Sequence, residues 1–205
     1  MALFESIPSP DGRRRYDVKS PVTLESIGQF DCATAEEVRA AVARARKAQL
    51  DFSKRSFAER ADLLWALVDQ FVARQEDIID VVLRETGKPR NEAISMEVLA
   101  PCMQISHYAK YGAKYLATVR RRPTGVMRFT KKLTLVYQPL GVVGLITPWN
   151  GPVALAANPL AQAVMAGNAV VHKPSEVTPF SAVLLQDGRL LECGPPDELY
   201  TRPAT

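Results

Sequence analysis

The segment PLGVVGLITPWN, residues 139–150, decides the fold class of this chain. Residues 141–146 form a short apolar run rich in β-branched side chains, which is typical of a strand covered on both faces. The turn Thr147–Asn150 ends the strand and presents an amide side chain. Pro152 suits the first position of a helix, where its missing N–H group is not needed. The segment therefore predicts a buried strand, a sharp turn and a helix.

The segment AGNAVVHKPSE, residues 166–176, predicts the next strand of the same sheet. Its apolar part is Ala169–His172, and the polar sequence Lys-Pro-Ser-Glu follows directly. A strand, a helix and a second parallel strand form a βαβ unit, and such sheets bind ligands beyond the carboxyl ends of their strands. The candidate site therefore combines the amide of Asn150 with Lys173, Ser175 and Glu176.

Together the two segments closely resemble two signatures of the aldehyde dehydrogenase superfamily, in the family's order and at its separation. In that family the asparagine of the Pro-Trp-Asn turn helps to form the oxyanion hole, so the resemblance gives Asn150 a catalytic role. The family's Lys-Pro-Ser-Glu segment contacts the adenosine ribose of NAD(P). By resemblance, the cofactor-binding residues are Ile146, Thr147, Pro148, Trp149, Lys173, Ser175 and Glu176.

The same resemblance predicts the cofactor and the class of substrate. A glutamate that binds both ribose hydroxyls would repel a 2′-phosphate, so Glu176 favours NAD over NADP. The sequence contains only the adenosine half of the family's cofactor site. We therefore expect weak binding by this chain, on the order of millimolar. The implied substrate is a small-molecule aldehyde, and the sequence does not say which one.

Three parts of the family's catalytic pattern are not found in the 205 residues, a length less than half of that usual in the family. They are the glycine turn that receives the pyrophosphate, the segment with the general base, and the catalytic cysteine segment. An asparagine amide stabilises a developing oxyanion, but it does not replace the thiolate that attacks the aldehyde. We therefore expect the chain alone to be inactive.

The three cysteines do not supply the missing nucleophile. Cys32, Cys102 and Cys193 have no neighbouring histidine and no family-like context, and ordinary free cysteine is the better interpretation of each. Their odd number argues against a disulfide framework and fits a reducing cytosol, so a cytoplasmic location is expected. No pair of cysteine or histidine residues indicates a metal site.

The composition is that of an ordinary soluble globular protein, with 47% hydrophobic residues, 23% charged residues and a net charge of +4. The basic clusters lack interleaved aromatic residues, so no nucleic-acid partner is expected. No apolar run of about 18 residues predicts a membrane span. The N-terminus also lacks the apolar core of a secretory signal.

The overall prediction is an α/β fold with an N-terminal helical segment, an incomplete Rossmann-like parallel sheet and a β-hairpin arm. Residues 1–122 hold the N-terminal strands and helices, 123–138 the hairpin, 139–186 the βαβ unit and 187–205 a divergent tail.

Local signals predict where the helices begin and end. Capping boxes at Thr34–Glu37 and Ser56–Glu59 start two helices. A third helix covers about residues 75–86 and ends at Gly87, and a long helical pattern covers about residues 91–117. These helices carry apolar stripes that are typical of core packing.

Residues 123–138 alternate between apolar and polar side chains and predict a hairpin with one solvated face. The segment is similar to the family's oligomerisation arm, which pairs with a C-terminal strand. An unpaired strand edge is a template for pairing with another chain. We therefore expect self-association through this segment.

The tail, residues 187–205, has two interpretations. One continues the family's helix and turn, but it needs a deletion after Gly194 and places Gly188 inside a helix. The other, which is favoured, needs no gap and resembles a segment of ABC-transporter ATPases. Neither brings a phosphate-binding loop of the type GxxxxGK(S/T), so ATP hydrolysis is not expected.

Three functional hypotheses remain open. The chain is a working aldehyde dehydrogenase completed by a second polypeptide, an inactive remnant of such an enzyme, or an interaction module that pairs with an intact subunit. The downstream reading frames would separate them, because they would reveal the cysteine segment or a transporter.

Overall fold

A computed structural model of the chain describes residues 4–8 and 13–186. Three short strands begin the fold: β1 (Phe4–Ile7), β2 (Arg15–Lys19) and β3 (Ser26–Asp31). They form an antiparallel sheet in the order β1-β2-β3. Arg15 at the start of β2 binds Asp31 at the end of β3 through hydrogen bonds of 2.7 and 2.8 Å, which closes the far end of the sheet.

Two long helices follow, α1 (Ala35–Phe52) and α2 (Phe57–Ala73), and both begin with a capping box as predicted. At α1 the Thr34 hydroxyl accepts a hydrogen bond from the Glu37 amide at 3.2 Å, and the Glu37 carboxylate accepts one from the Thr34 amide at 2.8 Å. Ser56 and Glu59 make the same reciprocal pair before α2. Each box satisfies two amides that a helix start leaves without partners.

The next helices follow the predicted boundaries but contain a π-helical turn that was not predicted. Helix α3 spans Gln75–Thr86 and ends at Gly87, whose φ of 69° is left-handed as expected of a glycine cap. The long pattern beyond it forms α4 (Arg90–Ala93), a π-helical turn (Ile94–Leu99) and α5 (Ala100–Tyr115). Such turns occur frequently at functional sites.

The hydrophobic core lies between α2, α3, α5 and the later helix α7 (Ala154–Met165). Alanines on α7 allow close packing, and each core helix contributes large side chains that are almost fully buried. Examples from the four helices are Leu64, Phe71, Ile78, Ile79, Ile105 and Met165.

The predicted βαβ unit is present. Strands β6 (Val142–Ile146) and β7 (Ala169–Lys173) are parallel neighbours, with α7 between them in the sequence. The register pairs Val142 with Ala169 and Ile146 with Lys173. Helix α8 (Pro179–Gln186) follows β7.

Two details of this unit correct the sequence-based prediction. The regular helix begins at Ala154, two residues after Pro152, although the Leu155 amide already donates a hydrogen bond of 2.8 Å to the Gly151 carbonyl, so Pro152 lies in the first turn. Strand β6 is not covered on both faces, since Ile146 is 76% exposed and a side chain built on Gly144 would meet no described atom within 4 Å. In the described part of the chain this sheet has two strands.

The arm also differs from the predicted hairpin over residues 123–138. Strands β4 (Val119–Arg121) and β5 (Leu133–Leu135) pair antiparallel, and a short helix α6 (Met127–Thr130) lies between them. The arm therefore begins before residue 123. Gly125, with a φ of 64°, takes the chain out of the extended conformation that the alternating pattern predicted.

Residues 187–205 lie outside the described residues, and with them both interpretations of the tail. Among the described helices, none has the length and apolar character needed to cross a membrane.

Candidate functional site

The carboxyl ends of β6 and β7 bring the two predicted halves of the site together. Ile146 lies opposite Lys173 in the register, and the Thr147 amide donates a hydrogen bond of 3.2 Å to the Lys173 carbonyl. The turn that carries Asn150 and the turn that carries Glu176 therefore leave neighbouring strands at the same edge. This is the edge where open α/β sheets bind ligands.

The turn after β6 exposes the side chains that the sequence assigned to the site. Pro148, Trp149 and Asn150 are exposed, Trp149 by 58%. Gly151 and the residues after it are buried, so the turn is fixed at its base and open at its tip. The Asn150 amide is accordingly accessible to a ligand.

Thr147, at the base of the turn, is buried and contacts His172 on the neighbouring strand. The distance from Thr147 Oγ1 to His172 Nε2 is 2.8 Å. Burial, reinforced by the charge of Lys173, lowers the pKa of His172 to about 4. The imidazole is therefore neutral at physiological pH and joins the two strands, as expected of a structural histidine.

Acidification is expected to destabilise the chain through His172. Its pKa is about 4 in the folded chain, against 6.5 for an unperturbed histidine. The unfolded chain therefore binds the proton first, and the free energy of unfolding falls as the pH drops from about 6.5 to about 4, by roughly 3 kcal/mol. Denaturant unfolding at a series of pH values measures this. The variant His172→Gln has no imidazole to titrate and should lose this part of the pH dependence. If the pH dependence of unfolding stayed unchanged in the variant, His172 would not be its source.

Lys173 and Glu176 form an ion pair at the end of β7. Lys173 Nζ lies 3.4 Å from Glu176 Oε2 and donates a hydrogen bond of 3.0 Å to the Pro174 carbonyl. A hydrogen bond from its own amide, with a further one from Lys173, lowers the pKa of Glu176. The Lys173 side chain is exposed and the Glu176 side chain is half-buried. Ser175 is buried, and its hydroxyl accepts the Val177 amide at 3.3 Å, which shapes the turn before α8.

Glu97 is a residue of this site that the sequence reasoning missed. It lies in the π-helical turn, is fully buried, and its Oε2 accepts hydrogen bonds of 3.0 Å from the amides of Val153 and Ala154. Its other oxygen pairs with Lys88. A carboxylate at a helix N-terminus satisfies free amides and complements the helix dipole. Glu97 therefore binds the first amides of the helix that follows the Asn150 turn.

Glu85 has the corresponding role at α8. It is 2% exposed and accepts hydrogen bonds from the amides of Phe180 and Ser181, at 2.6 and 2.9 Å, and from the Ser181 hydroxyl. Burial raises the pKa of this carboxyl, while the hydrogen bonds from Ser181 and Phe180 oppose the rise. The sequence did contain a sign of this role, because Glu85 is a charged residue within an apolar helical stripe. A buried charge requires hydrogen-bonding or charged partners.

The structure describes Cys32 and Cys102, and neither has the lowered pKa of a reactive thiolate. Cys32 and Cys102 are half-buried, and burial raises the pKa of each thiol. The charges of Arg14 and Lys173 act in the opposite direction on Cys32. Cys193 lies outside the described residues. Among residues 4–8 and 13–186, no group of three or more histidine, cysteine or acidic side chains is arranged to hold a metal ion.

The fold and the strand ends define an α/β protein with part of a Rossmann-like sheet. Comparison with known proteins then identifies its family: the chain belongs to the aldehyde dehydrogenase family, whose model matches residues 7–200. It corresponds to an N-terminal portion of such an enzyme. The match extends to residue 200 and so includes part of the tail, and the ABC-transporter resemblance of that segment is not shown.

Two curated relatives and one solved structure illustrate the similarity. The chain is 34% identical over 195 residues to "Putative succinate-semialdehyde dehydrogenase [NADP(+)]" of Mycolicibacterium smegmatis, covering 95% of this chain and 37% of the relative. It is 36% identical over 207 residues to the Mycobacterium ulcerans protein with the same name and the number 2, covering 97% and 39%. The NADP-dependent glyceraldehyde-3-phosphate dehydrogenase of Bacillus halodurans, solved with NADP, superposes with a TM-score of 0.80 at 31% identity, covering 95% and 40%.

These comparisons correct the expected cofactor preference. The family uses NAD(P), and all three of these proteins carry NADP in their names, so the comparisons do not support the predicted preference for NAD over NADP.

Proposed function

We propose that this chain carries the oxyanion donor and the adenosine-binding part of an NAD(P)-dependent aldehyde dehydrogenase, which oxidises an aldehyde to a carboxylic acid. The observation that supports this most is the register of the two parallel strands. In that register Ile146, which precedes the Asn150 turn, pairs with Lys173, in a chain that belongs to this family.

In this proposal the Asn150 amide donates a hydrogen bond to the oxygen of the aldehyde as negative charge develops on it. One such donor contributes roughly 10²–10³ in rate in other enzymes. Lys173 and Glu176 hold the ribose, one as a donor and the other as an acceptor. Ile146, Thr147, Pro148 and Trp149 line the approach between the strand ends. The chain spans about two fifths of the length of its relatives, 37% in the first case, so the complete reaction is proposed for the whole protein.

Cofactor binding tests the proposal directly. We expect calorimetry to detect NAD or NADP at about millimolar affinity, or about 4 kcal/mol, and Lys173→Ala to abolish the signal. Lys114 is an exposed lysine on α5 and belongs to neither β6 nor β7, so Lys114→Ala is the matched control and should bind as the parent does. Glu176→Gln should shift the preference toward NADP, because it removes a negative charge. Micromolar binding that survives Lys173→Ala would refute the site.

A second candidate function is association with a second copy through the arm. Two apolar side chains of the arm are highly exposed to solvent: Val126 is 83% exposed and Phe129 is 75% exposed. Contiguous apolar surface and strand edges of this kind mark interaction sites. These features favour dimers or larger species over a monomer.

Light scattering measures this association. We expect the double change Val126→Ser and Phe129→Ser to shift the chain toward the monomer. Leu50 on α1 is 61% exposed, so Leu50→Ser removes a comparable apolar side chain elsewhere and should leave the assembly unchanged. A monomeric parent chain would exclude the interaction role.

A further inference from the structure

The base of the Asn150 turn is held by a buried ion pair that comes from a different part of the chain. Glu97 Oε2 binds the Val153 and Ala154 amides at 3.0 Å each. Lys88, just after α3, binds the other carboxylate oxygen, and the two side chains are 13% and 0% exposed. The carboxylate therefore joins the segment after α3 to the first amides of α7.

Buried ion pairs are weak evidence for stability, because apolar residues of the same volume often serve as well or better. What such a pair provides is a fixed geometry, since a carboxylate with two amide donors and one ammonium donor has few alternative positions. The free amides of a helix N-terminus commonly receive an external anion. At α7 two of them are already taken by Glu97, which leaves the exposed tip of the turn as the part that faces a ligand.

Only two residues, Gly151 and Pro152, separate Asn150 from Val153, so the position of the Val153 amide is coupled to that of the turn. Gly151 and Pro152 are buried. A Cβ atom built on Gly151 would lie 3.2 Å from Leu155 Cγ and 3.8 Å from Glu97 Oε1. A displacement of the Val153 amide therefore moves the Asn150 turn with it.

We propose that Glu97, held by Lys88, is a positioning residue that sets the orientation of the Asn150 turn. The inference deepens the proposed function, because orientation matters for catalysis only if Asn150 is the oxyanion donor. The geometric relation itself does not depend on that role.

Trp149 is a reporter within the turn. The chain has two tryptophans, and the change Trp65→Phe leaves Trp149 as the only one. With 5-fluorotryptophan incorporated, ¹⁹F NMR of this variant is expected to give one narrow resonance. Glu97→Gln and Lys88→Met should each shift or broaden it. Glu92→Gln changes an exposed carboxylate of α4 and should leave it unchanged.

Glu85→Gln separates positioning from general loss of stability. Glu85 is also a buried carboxylate at a helix N-terminus, but it binds α8 rather than α7. We expect its replacement to leave the Trp149 resonance in place. Equal perturbation by Glu85→Gln and Glu97→Gln would mean general loosening and would overturn the proposal, as would an unchanged resonance in Glu97→Gln.

If Glu97→Gln does not fold, hydrogen exchange of the parent chain tests the role of Glu97 instead. The amides of Val153 and Ala154 should be protected like those inside α7, and Lys88→Met should accelerate their exchange by roughly tenfold, the loss expected for a charge-assisted hydrogen bond. Unprotected amides at these two positions would overturn the proposal. No cofactor takes part in these measurements, so they stand even if Lys173→Ala shows the proposed binding site to be wrong.

Discussion

The purified 205-residue chain is expected to catalyse no NAD(P)-dependent oxidation of aliphatic or aromatic aldehydes. The reaction of this family begins with a thiolate, and burial raises the pKa of both described cysteines, Cys32 and Cys102, so both remain thiols. In the proposed role, Asn150 would stabilise an oxyanion only after a nucleophile has attacked. The absorbance of the reduced cofactor, followed with NAD and with NADP, measures the expected absence of turnover.

A full-length relative assayed in parallel shows that the assay detects activity. Turnover by the chain that disappears in one of the variants Cys32→Ala, Cys102→Ala or Cys193→Ala would prove the chemical argument wrong and would identify the nucleophile. Turnover that survives all three changes would indicate a contaminating enzyme. The same assay on mixtures with a polypeptide that carries the rest of the family's length tests the hypothesis of completion by a second chain.

Replacing Gly167 by alanine is expected to lower the free energy of unfolding by about 3 to 4 kcal/mol. Gly167 connects α7 to β7 with a φ of 83°, a left-handed conformation that disfavours any side chain. A Cβ atom would also lie 2.8 Å from the buried guanidinium of Arg60. That group donates hydrogen bonds to the carbonyls of Met165, at 3.2 Å, and Ser53, at 2.8 Å, and it must move to make room.

Gly125 offers a matched control for this change. It has a φ of 64°, but a Cβ atom built there would meet no described atom within 4 Å. The change Gly125→Ala therefore includes the backbone strain without the displacement of Arg60, and should cost about 1 kcal/mol. Denaturant unfolding of both variants measures the difference. Equal losses would show that Arg60 adapts freely and does not fix the connection between α7 and β7.

The sequence predicted those elements whose signals are local. The capping boxes of α1 and α2, the glycine end of α3 and the two parallel strands all depend on a few neighbouring residues, and the structure has each of them. The strand ends could be predicted for the same reason. Parallel strands joined by a helix bring their carboxyl ends to one edge, so the proximity of the Asn150 turn and Lys173 followed from the order of elements alone.

Long-range contacts decided what the sequence did not reveal. The alternating pattern over residues 123–138 predicted a hairpin within that range. An alternating pattern does not specify which strand it pairs with, and in the structure β5 pairs with Val119–Arg121. The sequence also predicted that both faces of β6 are covered, whereas Ile146 on this strand is exposed. An apolar run indicates that a strand suits burial, but it does not show which elements pack against its two faces.

By itself the sequence determined the family, the order of the elements and the candidate residues at the strand ends, because each depends on short segments with specific composition. Only the tertiary structure showed what holds those residues in place. Glu97 and Glu85 lie more than fifty residues before the amides they bind, and their patterns resemble ordinary helical positions. A carboxylate is stable in the interior only where the folded chain surrounds it with donors. That condition is a property of three-dimensional proximity: a charged residue within an apolar helical stripe indicates that partners are needed, but it does not identify them.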